Sequence, residues 1–166
     1  VEQGALAAWN SLTITYGIDG FVFILAVLNV TQLGTLGCPI IASEQDDRVF
    51  AQAKLVRVLS GKIFDIAVDL RRDSPRFGQW DGCELSADKG NQLFVPAGFG
   101  HAFMTLTDDV LAQYKVDAAY APQSERSILW NDSAIGIDWP SIDDAVLSGK
   151  DADAPRIGDL GPDELF

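Results

Sequence analysis

The stretch "KLVRVLSGKIFDIAVDLRR", residues 54–72, decides the fold class of this chain. It contains two runs rich in aliphatic and β-branched residues, separated at Ser60-Gly61-Lys62, and this composition predicts two strands joined by a hairpin turn. The second run places two sets of side chains on opposite faces: Ile63, Asp65, Ala67 and Asp69 on one, and Phe64, Ile66, Val68 and Leu70 on the other. This period of two indicates a strand rather than a helix.

Further runs of strand composition follow at short, regular spacing. "DGCELSADKGNQLFVPAG" contains two runs joined at Asp88-Lys89-Gly90, and "HAFMTLTDDVLAQYKV" contains two joined at Asp108-Asp109. Polar turns and the lack of a convincing amphipathic helix predict an all-β, antiparallel sandwich or barrel. We expect a cupin-like jelly roll with short C-terminal helical or extended segments. The tail after Lys150, rich in Asp, Pro and Gly, is predicted to be extended or loose.

Length and charge limit the classes of function. The 166 residues fit one domain, and a net charge of −12 argues against nucleic-acid binding, which needs a basic surface. Cys38 and Cys83 form no CxxC motif, so we expect no disulfide framework and a cytoplasmic location. The apolar run 20–30 is shorter than a spanning helix and no Lys or Arg precedes Arg48, so we expect a buried strand and no membrane partner.

His101 is the only histidine, and it lies in "GNQLFVPAGFGHAFMTL", residues 90–106. The spacing G-x5-P-x-G-x-x-H resembles the second motif of the cupin superfamily, in which this histidine is often a metal ligand. A first-row metal site needs two or more imidazoles plus carboxylates, and this chain has one imidazole. We therefore expect no metal. His101 is then either a hydrogen-bonded interior residue or a residue that acts on an organic substrate.

Four segments occur together in a recognisable order: "KLVRVLSGKIFDIAVDLRRDSPRFGQW", "QLFVPAGFGHAF", "ILWNDSAIGIDWP" and "LSGKDADAP". From about Ala51 to Pro155 the chain resembles the dTDP-4-dehydrorhamnose 3,5-epimerase family of jelly-roll enzymes. The resemblance implies epimerisation at C3 and C5 of dTDP-4-dehydro-6-deoxy-D-glucose, without a cofactor, in a homodimer whose interface includes the N-terminal strands. It also implies a single domain over residues 1–166, with an atypical segment 1–50, a family-like body 51–155 and a tail 156–166.

Epimerisation beside a ketone needs a base, a group that stabilises the enolate oxygen, and an acid on the other face. The resemblance implies that Lys54 lies near the keto oxygen and stabilises the enolate. It implies that Tyr114 is the proton donor, since a phenol is a weak acid suited to this step. Asp151 matches the carboxylate that orients the family's base histidine.

The remaining matched residues are implied to contact the substrate. His101 and Lys150 match positions that hold the nucleotide sugar, and Glu125 matches a further contact. Tyr120 matches an aromatic residue on which a planar base stacks. Trp130, Asn131 and Trp139 belong to the family signature, but packing in the core explains them sufficiently.

Residues 1–50 depart from the family pattern. The family's base histidine lies in an R-G-L-H segment, and counting back from Ala51 places Glu44 at that histidine and Ile41 at the arginine. Three explanations remain open: a frame error joined to a sound epimerase body, a non-catalytic relative that binds a sugar nucleotide or dimerises, or Glu44 as a substitute base. A carboxylate is able to abstract such a proton.

Overall fold

A computed structural model describes residues 10–18, 21–30, 36–43, 52–118, 125–140, 145–161 and 164–165, the first three ranges through their backbone alone. Ten strands are present in these ranges: β1 (Asn10–Ile18), β2 (Phe21–Val30), β3 (Leu36–Ser43), β4 (Lys54–Ser60), β5 (Lys62–Asp69), β6 (Trp80–Ser86), β7 (Gln92–Val95), β8 (Phe99–Thr105), β9 (Val110–Val116) and β10 (Glu125–Arg126). The apolar run 20–30 forms a strand, as predicted.

The strands form two five-stranded antiparallel sheets. Sheet I has the order β1-β2-β9-β4-β7, and sheet II has the order β10-β3-β8-β5-β6. From β4 to β9 the chain passes to the opposite sheet at each connection except the one between β5 and β6. This is the connectivity of a jelly roll. The predicted fold class is therefore confirmed.

The predicted hairpin at residues 60–62 is wrong. β4 pairs with β7 and β9, whereas β5 pairs with β6 and β8, so the chain passes at this corner from sheet I to sheet II. Gly61 has φ 76°, and a Cβ there would lie 2.6 Å from Thr107 Oγ1. The composition of the turn predicts that the chain reverses direction here, but not which strands β4 and β5 pair with. The two strands contribute to facing sheets, and Val56 and Val58 of β4 and Ile63 of β5 are buried in the core between them.

The other predicted turns lie where expected but also join the two sheets. Residues 87–90 lead from β6 to β7, and residues 106–109 lead from β8 to β9. Asp109 has φ 55°, a left-handed conformation that Asp tolerates better than most residues. These corners hold the inner faces of the two sheets opposite each other.

An inner core fills the space between the sheets. Sheet I contributes one set of side chains and sheet II another: Val56, Val58, Val110 and Ala112 from the first, and Ile63, Leu85 and Phe103 from the second. All of these are at most 4% exposed. Complete burial of such a side chain stabilises the fold by about 1.5–3 kcal/mol, so this cluster is a principal source of stability.

An outer core covers the other face of sheet II. The sheet contributes Ile66, Val68, Leu70, Ala102 and Met104, and the C-terminal segment packs Ile128, Trp130, Ile135, Trp139 and Ile157 against them. The two tryptophans are thus core residues, as expected, whereas Asn131 is exposed.

The prediction of a loose tail is wrong for part of it. A single helical turn, α1 (Gly149–Ala152), is followed by a 3-10 turn (Ile157–Asp159). Ile157 is buried because its apolar side chain completes the outer core, which composition alone does not reveal. No helix in the described part of the chain has the length and apolarity needed to span a membrane.

Asp132 fastens the C-terminal segment to the sandwich. Its side chain is 3% exposed. Oδ2 accepts a hydrogen bond from the Ile157 backbone N at 2.7 Å, and Oδ1 accepts one from the Ala134 backbone N at 3.0 Å. The bond to Ile157 joins residues 25 positions apart, so it positions the segment that follows α1.

We predict that Asp132→Ala destabilises the protein by roughly 2 kcal/mol or more, because each buried N–H left without an acceptor costs about 1–3 kcal/mol. The free energy of unfolding in urea measures the effect. Asp138→Ala is the matched control, since Asp138 is an exposed acid of the same segment. Equal stability of the two variants would contradict this role of Asp132.

Candidate active site

One wall of the candidate site is formed by sheet I. Lys54 shares its face of β4 with Val56 and Val58, and Tyr114 shares its face of β9 with Ala112, all of which point into the inner core. In the β4–β9 register Tyr114 lies opposite Val56, two residues from Lys54. Both side chains are half-buried. The sheet therefore places an amine and a phenol close together at the interior of the sandwich.

The opposite wall contains a buried pair, His101 and Asp65. His101 Nε2 lies 2.7 Å from Asp65 Oδ1, and the two side chains are 3% and 0% exposed. Asp65 shares the inner face of β5 with Ile63, and His101 shares that of β8 with Phe103. The histidine therefore points into the interior from a regular strand, positioned after the Pro96–Gly98 bend where Gly98 has φ 84°.

Hydrogen bonding in the pair is incomplete. Asp65 Oδ2 is buried and has no hydrogen-bond partner among the described residues. The hydrogen bond that joins the His101 ring to Asp65 is made by Nε2. A buried polar group without a partner costs about 1–3 kcal/mol, and such a cost is most often found at functional sites. Asp65 Oδ2 is therefore a buried acceptor whose hydrogen bond the described residues do not supply.

Cys83 lies beside this pair, directly opposite Asp65 in the β5–β6 register. Burial raises the pKa of the Cys83 thiol, and the negative charges of Asp65 and Asp81 raise it further. The thiol therefore stays protonated and is a poor nucleophile. Within the described residues no group of three or more His, Cys, Asp or Glu side chains is arranged to hold a metal ion.

Asp151 and Lys150 lie together on α1. Asp151 is 3% exposed, its backbone N donates to Ser148 Oγ at 3.3 Å, and Lys150 is exposed. α1 packs against β3, the strand that ends at Ser43 immediately before Glu44. Asp151 is thus placed on the side of the family's base position, whereas the imidazole of this chain pairs with a different carboxylate.

The structure describes only some of the other predicted site residues. Glu125 begins β10 and pairs with Ser43 of β3, so its backbone adjoins the same strand end. Glu44 and Tyr120 lie outside the described residues. The structure thus brings Lys54, Tyr114 and His101 to the inner faces of the sandwich, and brings Glu125, Lys150 and Asp151 to the β3 side. Their chemical roles remain predictions.

Asp65 is a site residue that sequence reasoning missed. The alternation in residues 63–70 assigned it correctly to the face of Ile63, but no role was given to it. The available signal was an acid in the middle of an apolar strand face, because a buried charge needs a partner. Its partner on β8 could not be identified without the sheet order.

A cavity of about 400 Å³ opens beside β5, β6 and β7, with Ala67 and Cys83 among its lining residues. Its rim is fixed by Asp69, which accepts two hydrogen bonds from the Arg71 guanidinium, at 2.9 and 2.7 Å, and one from Ser74 Oγ at 2.6 Å. Arg71 also stacks over the Phe99 ring, 4.9 Å from its centroid. The Arg71 hydrogen bond is the main cause that lowers the pKa of Asp69 to about 2.

Residues 45–159 match the family model of dTDP-4-dehydrorhamnose 3,5-epimerase, which is more than half of the chain. The chain belongs to the dTDP-4-dehydrorhamnose 3,5-epimerase family. The epimerase of Sinorhizobium fredii is 50% identical over 111 residues, which are 67% of this chain and 57% of that protein. The epimerase of Salmonella typhimurium is 54% identical over 107 residues, 64% of this chain and 58% of that protein. The chain therefore spans less than two thirds of the length of these relatives.

Solved epimerase structures extend the likeness to the N-terminal strands. The dTDP-6-deoxy-D-glucose-3,5-epimerase of Legionella pneumophila, in complex with dTDP-4-keto-L-rhamnose, superimposes with a TM-score of 0.78 at 30% identity, covering 94% of this chain and 97% of that one. The Bacillus anthracis epimerase, with TDP and PPi bound, gives 0.76 at 34% identity, covering 87% and 91%. The family model begins only at residue 45, so β1–β3 share the epimerase fold outside the region that the model matches.

We predict that the Asp69 network makes stability depend on acid pH. The pKa of Asp69 is about 2 in the folded state against 3.8 ordinarily, so its stabilisation is present above 3.8 and is lost as the pH falls towards 2. Between about pH 5 and about pH 2 the wild type should lose more free energy of unfolding than Asp69→Asn. Asp73→Asn, at an exposed acid of the same turn, should keep the wild-type slope. Equal slopes for all three proteins would refute the assignment.

Proposed function

We propose that this chain epimerises dTDP-4-dehydro-6-deoxy-D-glucose at C3 and C5 to give dTDP-4-dehydro-L-rhamnose. The observation that supports this most is the placement of Lys54 and Tyr114 on one inner wall, facing the wall that holds His101 and Asp65. Relatives of about 50% identity are dTDP-4-dehydrorhamnose 3,5-epimerases. Such an enzyme is an isomerase of dTDP-L-rhamnose biosynthesis, and we place it in the cytoplasm.

The reaction begins with removal of a proton from a carbon beside the C4 ketone. The electrons of the broken C–H bond move into the carbonyl and form an enolate, so negative charge develops on the oxygen. The Lys54 ammonium, half-buried at the interior, stabilises that charge more strongly than it would in water. No metal or organic cofactor is needed, because the ketone itself acidifies the neighbouring carbons.

Inversion requires that a proton return from the other face of the sugar. Tyr114 lies on sheet I, across the interior from His101 on sheet II. A sugar ring bound between the two sheets presents one face to each wall. When a base on the sheet II side removes the proton, Tyr114 protonates the enolate from the opposite face, which inverts the carbon.

The nucleotide part of the substrate needs groups at the mouth of the site. Related structures contain dTDP-4-keto-L-rhamnose or TDP. We assign Lys150 to the diphosphate charge, Tyr120 to stacking on the thymine, and Glu125 to a further contact. Lys150 is exposed on the helical turn α1.

One observation favours a second candidate function, a jelly-roll module that binds a dTDP-sugar without turning it over. The family's base histidine is absent, because Glu44 stands at its position and the chain has one histidine. Such a module would bind dTDP but would catalyse no proton exchange.

We predict that the chain exchanges two sugar protons for deuterium when dTDP-4-dehydro-6-deoxyglucose is incubated with it in D2O. Tyr114→Phe should slow the exchange or the inversion by about 10²–10⁴-fold, the usual contribution of a positioned acid or base. Mass spectrometry measures deuterium entry, and calorimetry with dTDP measures binding. Binding without exchange would identify the non-catalytic module, and absence of both would contradict each candidate function.

We further propose that the chain forms a homodimer through the outer face of sheet I. Leu55, Leu59 and Phe94 are 36%, 41% and 61% exposed, and Leu55 lies directly opposite Phe94 in the β4–β7 register. An exposed apolar group on a regular sheet face is typical of an interface. A second copy of the same face is complementary to it under two-fold symmetry.

We predict that Phe94→Ser shifts the protein towards the monomer, because it removes the most exposed apolar side chain of this face. Sedimentation equilibrium over a range of concentrations measures the molar mass. Phe77→Ser is the matched control, since Phe77 is 38% exposed but lies on the turn between β5 and β6. A monomeric wild type would contradict the proposed dimer.

A further inference from the structure

We propose that His101, held by Asp65, is the general base of this chain. The assignment rests on the proposed epimerase function and differs from the role that family resemblance gives to this histidine, which is a substrate contact. It follows from the geometry of the pair and from the fact that the chain contains no other imidazole.

The hydrogen bond of the pair selects the reactive nitrogen. An ionised carboxylate only accepts hydrogen bonds, so Nε2–H donates to Asp65 Oδ1 at 2.7 Å. Nδ1 then keeps its lone pair, because the proton of the neutral ring is on Nε2, where the hydrogen bond to Asp65 is made. An imidazole with one nitrogen fixed by a carboxylate and the other open is the arrangement of a general base.

Asp65 also stabilises the product of the proton transfer. When Nδ1 takes a proton, the ring becomes an imidazolium, and the carboxylate beside it balances the charge in a site that water scarcely reaches. Asp65 is therefore a positioning residue that acts through His101. Its second oxygen, Oδ2, is buried and has no partner among the described residues.

In the proposed reaction one wall of the site accepts a proton and the other wall donates one. The C–H bond next to the ketone breaks, its proton goes to His101 Nδ1, and its electrons form the enolate beside Lys54. Tyr114 then gives its phenolic proton to the opposite face of the carbon. His101 loses its proton to solvent and Tyr114 regains one, which is why solvent deuterium enters the sugar.

Asp151 is not the carboxylate that hydrogen-bonds to His101 in the structure. It lies on α1, which packs against β3, and the hydrogen bond of His101 goes to Asp65. The Asp151 carboxylate matches a partner for a base at position 44, where this chain has Glu44. Two carboxylates repel each other when they are brought together, whereas a carboxylate attracts an imidazolium.

Asp65→Asn is the decisive variant because it keeps the shape and the hydrogen bond but reverses its direction. The amide NH2 donates to Nε2, so the ring proton moves to Nδ1 and the lone pair needed for catalysis is lost. We expect deuterium exchange into dTDP-4-dehydro-6-deoxyglucose to fall on the order of 10³-fold. Binding of dTDP, measured by calorimetry, should stay within about threefold. Asp138→Asn, at an exposed acid, is the matched control and should exchange at the wild-type rate.

His101→Ala tests the base itself, since free imidazole added to the solution can enter the space that the side chain leaves. We expect loss of exchange that millimolar imidazole restores in part, a result that a structural role would not produce. Circular dichroism confirms that each variant is folded. Exchange lost in Glu44→Gln but retained in Asp65→Asn would overturn the assignment and place the base at Glu44. No exchange by the wild type would overturn the proposed catalytic function together with this assignment.

Discussion

Face-to-face packing of two sheets is the constraint on which the rest of this structure depends. Each strand from β4 to β9 has an apolar face that must leave water, and the corners at residues 60–62, 87–90 and 106–109 transfer the chain between sheets so that these faces meet. Because the gap between the sheets is filled by inward side chains, any polar residue on an inward face is forced into the interior. Lys54, Asp65, His101 and Tyr114 face the interior for that reason.

The sequence predicts the strands and their faces well. The period of two in residues 63–70 placed Asp65 and Ile63 on one face and Ile66 on the other, as found. It did not predict which strands pair, since turn composition at residues 60–62 is the same for a hairpin and for a corner between sheets. Pairing depends on contacts between residues far apart in the chain, and these leave no local pattern.

The residues of the candidate site that lie within the family motifs could be predicted from the sequence. Lys54, Tyr114 and His101 were named from their motifs, and the structure brings them to facing walls of one interior. Asp65 was missed because its significance lies in a contact with a residue 36 positions away. The burial of Ile157 was missed for a similar reason: a polar composition around one apolar side chain conceals that this side chain completes the outer core.

The pairing of His101 with Asp65 also limits how this protein can change over generations. Replacing either partner alone leaves the other buried, and Asp65 would then have no hydrogen bond from the described residues at either oxygen. A lineage that loses the imidazole would therefore be under pressure to lose the carboxylate as well, and apolar side chains of similar volume would be the simplest replacement for both. The residues at positions 65 and 101 are therefore expected to change together, although they lie on different strands.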